Sequence, residues 1–169
     1  MSIRIMDIVD GTSVDGPGLR TAIYTAGCAH ACPGCHNPST WAFDAGHNAS
    51  VEDILKRVRI NDFNVTLTGG DPMYQAKALV PLCDAIRACG YSIWCYTGFT
   101  FEQLLEHEDM AQLVRLVDVI VDGPFVQAQR NTDLFFRGSE NQRIIDVAES
   151  LKAGHAVLAE RYYEPSARL

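Results

Sequence analysis

The sequence predicts an α/β fold built on a mostly parallel sheet, and three observations carry that reading. Short runs rich in Val and Ile alternate along the chain with segments whose apolar residues recur at helical spacing, the order that right-handed βαβ crossovers produce. The chain has 169 residues, 47% of them hydrophobic, enough to bury one sizeable core in a single domain over residues 1–169. Glycine-bearing polar turns follow the predicted strands at Gly69-Gly70-Asp71, Thr97-Gly98 and Asp122-Gly123, and open α/β sheets gather their chemistry at that end. There are too few βα units for a closed eight-fold barrel.

In order, Ile3 to Val9 reads as a first strand, Gly11 to Gly18 as a glycine-rich turn, and Arg20 to Ala26 as a second strand. Gly16-Pro17-Gly18 is too loose a pattern for a phosphate loop. Residues Pro38 to Ala49 read as loop. Ser50 with Asp53 resembles a capping box, and Val51, Ile54, Leu55 and Val58 then mark an amphipathic helix over 51–60. Val65 to Thr68 is a strand. Leu79, Leu82, Cys83 and Ile86 share a helix face that stops at Gly90, with Pro81 expected to delay or kink the helix. Ser92 to Thr97 is a strand. Thr100 with Gln103 caps a short helix, and Asp109 with Gln112 is expected to cap another. Asp118 to Asp122 is a strand, and Gly123 to Asn141 a long irregular connection of the kind that often carries function. Arg143 to Val147 is a strand, Asp146 with Glu149 caps a last helix ending near Gly154, and Ala156 to Ala159 reads as a final strand. The tail Arg161 to Leu169 is expected to be mobile.

The net charge of −7 argues against a general binder of nucleic acid or anionic membrane. No apolar run approaches a membrane span, and the opening MSIRIMDIVDG lacks a signal-peptide pattern. The expected setting is therefore cytoplasmic, with reduced thiols.

Three of the six cysteines crowd into one stretch, Gly27-Cys28-Ala29-His30-Ala31-Cys32-Pro33-Gly34-Cys35-His36-Asn37-Pro38. A disulfide between any two would strand the third. Thiolates at this spacing can wrap a 4Fe–4S cluster, and three of them leave one of its four irons open. The remaining thiols, Cys83, Cys89 and Cys95, lie in apolar-patterned segments and read as core residues. His36 could complete a Cys3His zinc site, but its adjacency to Cys35 makes joint ligation of one ion awkward, and no second ligand pair exists. His36 reads better as a packing residue or one that supports the ligands. His30, His47, His107 and His155 read as structural or solvent-facing.

The spacing C-x3-C-x2-C resembles the signature of the radical S-adenosylmethionine enzymes. The wider stretch, Asp15 to Thr21 and Cys28 to Trp41, resembles the activating enzymes of anaerobic (class III) ribonucleotide reductases. The likeness extends to Gly69-Gly70-Asp71-Pro72, Tyr96-Thr97-Gly98-Phe99, Val121-Asp122-Gly123-Pro124-Phe125 and Arg137 to Arg143, and so covers most of the chain in order.

The resemblance implies an incomplete (β/α) barrel of the radical S-adenosylmethionine type. It implies that Cys28, Cys32 and Cys35 hold a 4Fe–4S cluster whose open iron is chelated by S-adenosylmethionine. Gly69, Gly70 and Asp71 would bind the amino group of that molecule, and a side chain at Gly70 is expected to exclude it. Asp71 stands where the family often has Glu, and being one methylene shorter it leaves the backbone carbonyls as acceptors. Thr97 and Asp122 are candidates for the methionine or ribose portion, with turn roles equally open. Gly34 stands where many relatives carry an aromatic residue near the adenine. His36, Asn37, Arg137, Ser139 and Asn141 are candidates for support of the site or for a partner surface.

The implied partners are an external one-electron donor and, as protein substrate, the large subunit of the anaerobic reductase. Alternatives are a radical enzyme acting on a small molecule, similar to 7-carboxy-7-deazaguanine synthase, and a zinc-stabilised binding module without catalysis.

Overall fold

The computed structural model describes residues 1–163. Its centre is a seven-stranded sheet ordered β3-β1-β2-β4-β5-β6-β7. The strands are β1 (Ser2–Thr12), β2 (Arg20–Thr25), β3 (His47–Ser50), β4 (Asn64–Gly69), β5 (Ile93–Tyr96), β6 (Val119–Asp122) and β7 (Arg143–Asp146). The inner pairs β2–β4, β4–β5 and β5–β6 are parallel. The flanking pairs β1–β2, β1–β3 and β6–β7 are antiparallel. The sheet is therefore mixed and open, with the parallel core that a partial barrel requires.

Strand alternation sorts the two faces. Val65, Leu67, Ile93, Cys95 and Ile120 point into the main core. There they meet Ile54 and Val58 of α1 (Val51–Asn61), Leu79, Leu82, Cys83 and Ile86 of α2 (Ala76–Ala88), Leu104 of α3 (Phe101–Glu106), and Leu113 and Val114 of α4 (Glu108–Val114). Trp94, Val119, Val121 and Ile144 point the other way into a second cluster with Tyr96, Phe136, Tyr162 and Tyr163. On that side the buried guanidinium of Arg20 bonds Thr66 Oγ1 at 2.8 Å and the Val65 carbonyl at 2.9 Å, and lies 5.9 Å from the Trp94 ring. In these clusters the helices α1 to α4 pack against one face only. The other face is filled by side chains, as the inside of a barrel is.

Local signals placed most ends correctly. Ser50 Oγ accepts from the Asp53 N–H at 3.0 Å, Thr100 and Gln103 form a reciprocal capping box, and Asp146 accepts from the Glu149 N–H to start α5 (Val147–Ala153). Pro81 lies at an exposed position inside α2 without ending it.

Four expectations change. Residues 47–50 are a strand, not loop, because β1 offers them an antiparallel edge. His107, not Asp109, stands at the N-cap of α4, and Asp109 lies in its first turn. Ala156 to Ala159 contributes a single bridge, Ile145 to Leu158, rather than a strand. The start of the expected mobile tail is packed: Tyr162 lies 5.0 Å from Trp94, and the Tyr163 hydroxyl accepts from the Ile144 N–H. Residues 164–169 lie outside the described residues. Among the described residues no helix is long and apolar enough to cross a membrane.

Candidate functional site

One cavity of about 230 Å³ opens where β2, β4, β5 and β6 end. Cys28, Cys32 and Cys35 line it, together with the main chain of Gly69 and Gly70, Thr97, His36 and Asn37. The cavity thus brings together eight of the residues expected from sequence. All three thiols are free and half-buried.

Two loops are joined to make this wall. Past the last paired residues of β2 and β4, the Gly70 N–H donates to the Thr25 carbonyl at 2.8 Å and the Asp71 N–H to the Gly27 carbonyl at 2.9 Å. The cysteine loop is thereby hydrogen-bonded to the glycine pair. Gly69 has φ +101°, and a Cβ there would lie 2.4 Å from the Thr25 nitrogen. Gly70 does not adopt positive φ. A Cβ on it would lie 2.5 Å from the Gly27 carbonyl oxygen, so the close neighbour at Gly70 is the chain's own backbone. Glycine at both positions is what lets the loops approach.

The sulfur environment suits an iron–sulfur cluster. The main-chain N–H of Asn37 and the indole N–H of Trp41 both donate to Cys35 Sγ at 3.4 Å, the kind of contact that tunes such clusters. Burial pushes the Cys28 thiol up to about 11. The His30 backbone N–H works against that rise, and the charges of Asp71, Cys32 and Cys35 add to it. Among the described residues no three His, Cys, Asp or Glu side chains are arranged to hold one metal ion. The three free thiols that line the cavity are the kind of donor a four-iron cluster takes, each thiolate on a different iron.

The expected carboxylates are engaged elsewhere. Asp71 is 1% exposed. Its Oδ1 accepts from the Met73 N–H at 3.0 Å. Its Oδ2 accepts from Thr97 Oγ1 at 2.9 Å and the Gly98 N–H at 2.9 Å, and lies 2.7 Å from His30 Nε2. It does not line the cavity. Asp122 is equally buried and also stands off the cavity. It holds Arg143 through two bonds of 3.0 and 2.5 Å and accepts from the Phe101 N–H at the start of α3 at 2.7 Å. Arg143 also reaches Glu102, and together the two acids push its pKa up. Thr97 lines the cavity, but its hydroxyl is shared between Asp71 and the Phe99 N–H.

The polar stretch before β7 is likewise folded onto itself. Ser139 Oγ donates to Asn141 Oδ1 at 2.6 Å, Asn141 donates to the Pro124 carbonyl at 2.7 Å, and Arg137 donates to the Gln142 carbonyl while stacking 4.5 Å over Tyr163. These contacts shape the long connection from within.

Sequence reasoning missed His30, Trp41, Tyr96, Phe125 and Gln142, which also line the cavity. His30 carried a usable signal, since it sits between two cysteines. The other three histidines given structural or solvent roles, His47, His107 and His155, are exposed. Aromatic surface in the cavity comes from Trp41, Tyr96 and Phe125, the last packing 5.2 Å from the His36 ring, rather than from position 34.

A family model described as a 4Fe-4S single cluster domain matches residues 14–145. The anaerobic ribonucleoside-triphosphate reductase-activating protein of Escherichia coli (strain K12) is 39% identical over 139 residues, covering 76% of this chain and 89% of that protein. Its namesake from Vibrio cholerae serotype O1 is 39% identical over 141 residues, covering 78% and 90%. The namesake from Enterobacteria phage T4 is 35% identical over 142 residues, covering 78% and 86%.

Proposed function

The chain belongs to the family of anaerobic ribonucleoside-triphosphate reductase-activating proteins, and from that premise we propose that it makes the glycyl radical of an anaerobic ribonucleotide reductase. One observation carries the reading. Three half-buried free thiols share a cavity with the unsubstituted backbone of Gly69 and Gly70 at the ends of the parallel strands. Cys28, Cys32 and Cys35 would hold the 4Fe–4S cluster. The main chain of Gly69 and Gly70, having no side chains, presents the groups that can accept from the ammonium of S-adenosylmethionine. The bound cluster would supply one electron, received from an external donor, for cleaving the sulfonium to methionine and a 5′-deoxyadenosyl group able to abstract hydrogen, and a glycine Cα–H of the partner would supply that hydrogen, giving 5′-deoxyadenosine and the glycyl radical.

The protein's own part is to bind, orient and exclude water. The hydrogen bonds between Gly70 and Thr25 and between Asp71 and Gly27 hold the ligand-binding wall together. Trp41 and the Asn37 N–H hold Cys35 Sγ in place. A glycine on the partner suits an open cavity, because without a Cβ its Cα can come close to the radical.

The test is anaerobic mixing of the iron-loaded enzyme with the reductase, S-adenosylmethionine and a one-electron reductant. A glycyl doublet in the EPR spectrum of the reductase is expected, and alanine at any of the three cysteines should abolish it. Turnover of a small molecule without a doublet would transfer the chain to a different reaction.

A further inference from the structure

His30 has a prepared slot. Its ring lies edge-on to Phe99, with centroids 4.6 Å apart, and 5.6 Å from Tyr74. A Cβ at Gly98 would lie 2.5 Å from its Cδ2, so the ring rests on a bare backbone. At the end of the slot Nε2 lies 2.7 Å from Asp71 Oδ2. That carboxylate already accepts from Met73, Thr97 and Gly98. A carboxylate only accepts, so the imidazole donates.

The loops joined there follow three different strands. His30 lies between Cys28 and Cys32 after β2, Asp71 directly follows Gly70 after β4, and Thr97 and Gly98 follow β5. The next residue, Ala31, has φ +49°. A non-glycine residue held there costs free energy and persists only where surrounding contacts over-determine it. The bond from half-buried His30 to buried Asp71 is such a contact, one residue from the strained one.

We propose that the His30–Asp71 hydrogen bond is a latch that fixes the cysteine loop against the Gly69–Gly70 pair, making both residues positioning residues for the bound sulfonium compound. This rests on the functional reading above. A single S-adenosylmethionine must reach an iron held by one loop and backbone groups of the other. The separation of the two loops is then part of its binding site. Asp71 acts through its neighbours, because both of its oxygens are already engaged by the protein.

Two variants separate the bond from the packing. His30→Phe keeps a ring in the slot but cannot donate. His30→Gln loses the ring but carries an N–H that can reach Asp71. Each is loaded with iron and sulfide anaerobically and reduced, and S-adenosylmethionine is titrated while the EPR signal of the cluster is followed. With wild-type iron content, His30→Phe should need about tenfold more S-adenosylmethionine for the half-maximal spectral change, since small misplacements are costly. His30→Gln should lie closer to the wild type.

A midpoint for His30→Phe within twofold of the wild type overturns the proposal, as does His30→Gln failing as badly as His30→Phe. If His30→Phe does not retain its cluster, the iron content of His30→Gln decides: retention supports the latch and loss overturns it. No spectral response in the wild type would instead remove the functional reading on which the latch rests.

Discussion

The ends of β4 and β6 begin alike and finish differently. Each carries an aspartate 1% exposed, Asp71 and Asp122, and the sequence marks both as ligand candidates. Asp71 collects uncharged backbone and hydroxyl donors and His30, from the cysteine loop, the turn after β5 and the 3-10 turn that follows Asp71 itself. Asp122 collects a guanidinium and the start of a helix, with Glu102 alongside. The first carboxylate ties the site together, and the second ties α3 to β7. A polar residue after a strand therefore identifies the functional end of the sheet, but its neighbours decide whether it serves the site or the scaffold.

The largest effect that can break this contrast is a side chain where the β4 loop meets the cysteine loop. Gly70→Val should abolish S-adenosylmethionine cleavage and also lower the iron content. Its Cβ would collide with the Gly27 backbone, which has little room to yield. Iron and sulfide analysis beside the cleavage assay checks this; full iron content with cleavage lost would mean that the ligand alone occupies the space.

At the β6 end, Asp122→Asn should weaken the Arg143 pair and cost about 1–3 kcal/mol of stability. The same variant should leave the S-adenosylmethionine titration midpoint within twofold, because the carboxylate stands off the cavity. Thermal unfolding and the EPR titration check the two halves. A large shift of the midpoint would make the two ends equivalent.

A smaller effect sharpens the picture at the cysteines. Trp41→Phe removes the indole donor to Cys35 Sγ. Such a donor stabilises the more electron-rich state, so its loss should make the cluster potential more negative by roughly 40 mV, the equivalent of a hydrogen bond of about 1 kcal/mol. Potentiometric titration followed by EPR measures it, and an unchanged potential would show that the contact is only structural.

The smallest effect concerns a carboxylate far from the site. Asp10 pairs with Arg57 at 2.5 Å, with both side chains more than a third exposed. Hydrogen bonds from Arg57 and then Asn61 hold its pKa at about 2. A depressed carboxylate contributes stability above its unfolded value of about 3.8, and that contribution is lost as pH falls toward about 2. Screening limits it to less than about 1 kcal/mol. Asp10→Asn should thus lower Tm slightly at neutral pH and not at all below pH 2, which unfolding scans across pH can test.

Much of the fold was legible because it follows local rules. Alternation in Val65 to Thr68 reports which side chains face the helices, and periodicity in Val51 to Val58 reports which face of α1 is buried. Ser50, Thr100 and Asp146 cap their helices through bonds to a residue three positions on. The cysteine triad was legible for the same reason, since its chemistry lies within eight consecutive residues. The strand at residues 47–50 was not, because its four residues owe their extended form to β1 rather than to their own pattern.

The sequence by itself determined the alternation of the parallel strands with their helices, the thiol count and the bare backbone at Gly69 and Gly70. Tertiary structure alone decided the antiparallel flanks, the Gly27 backbone against Gly70, and the partners of the two aspartates. The physical reason is sequence distance. His30 and Asp71 are 41 residues apart and Asp122 and Arg143 are 21 apart, so each carboxylate finds its partner only after the sheet has brought the strand ends together.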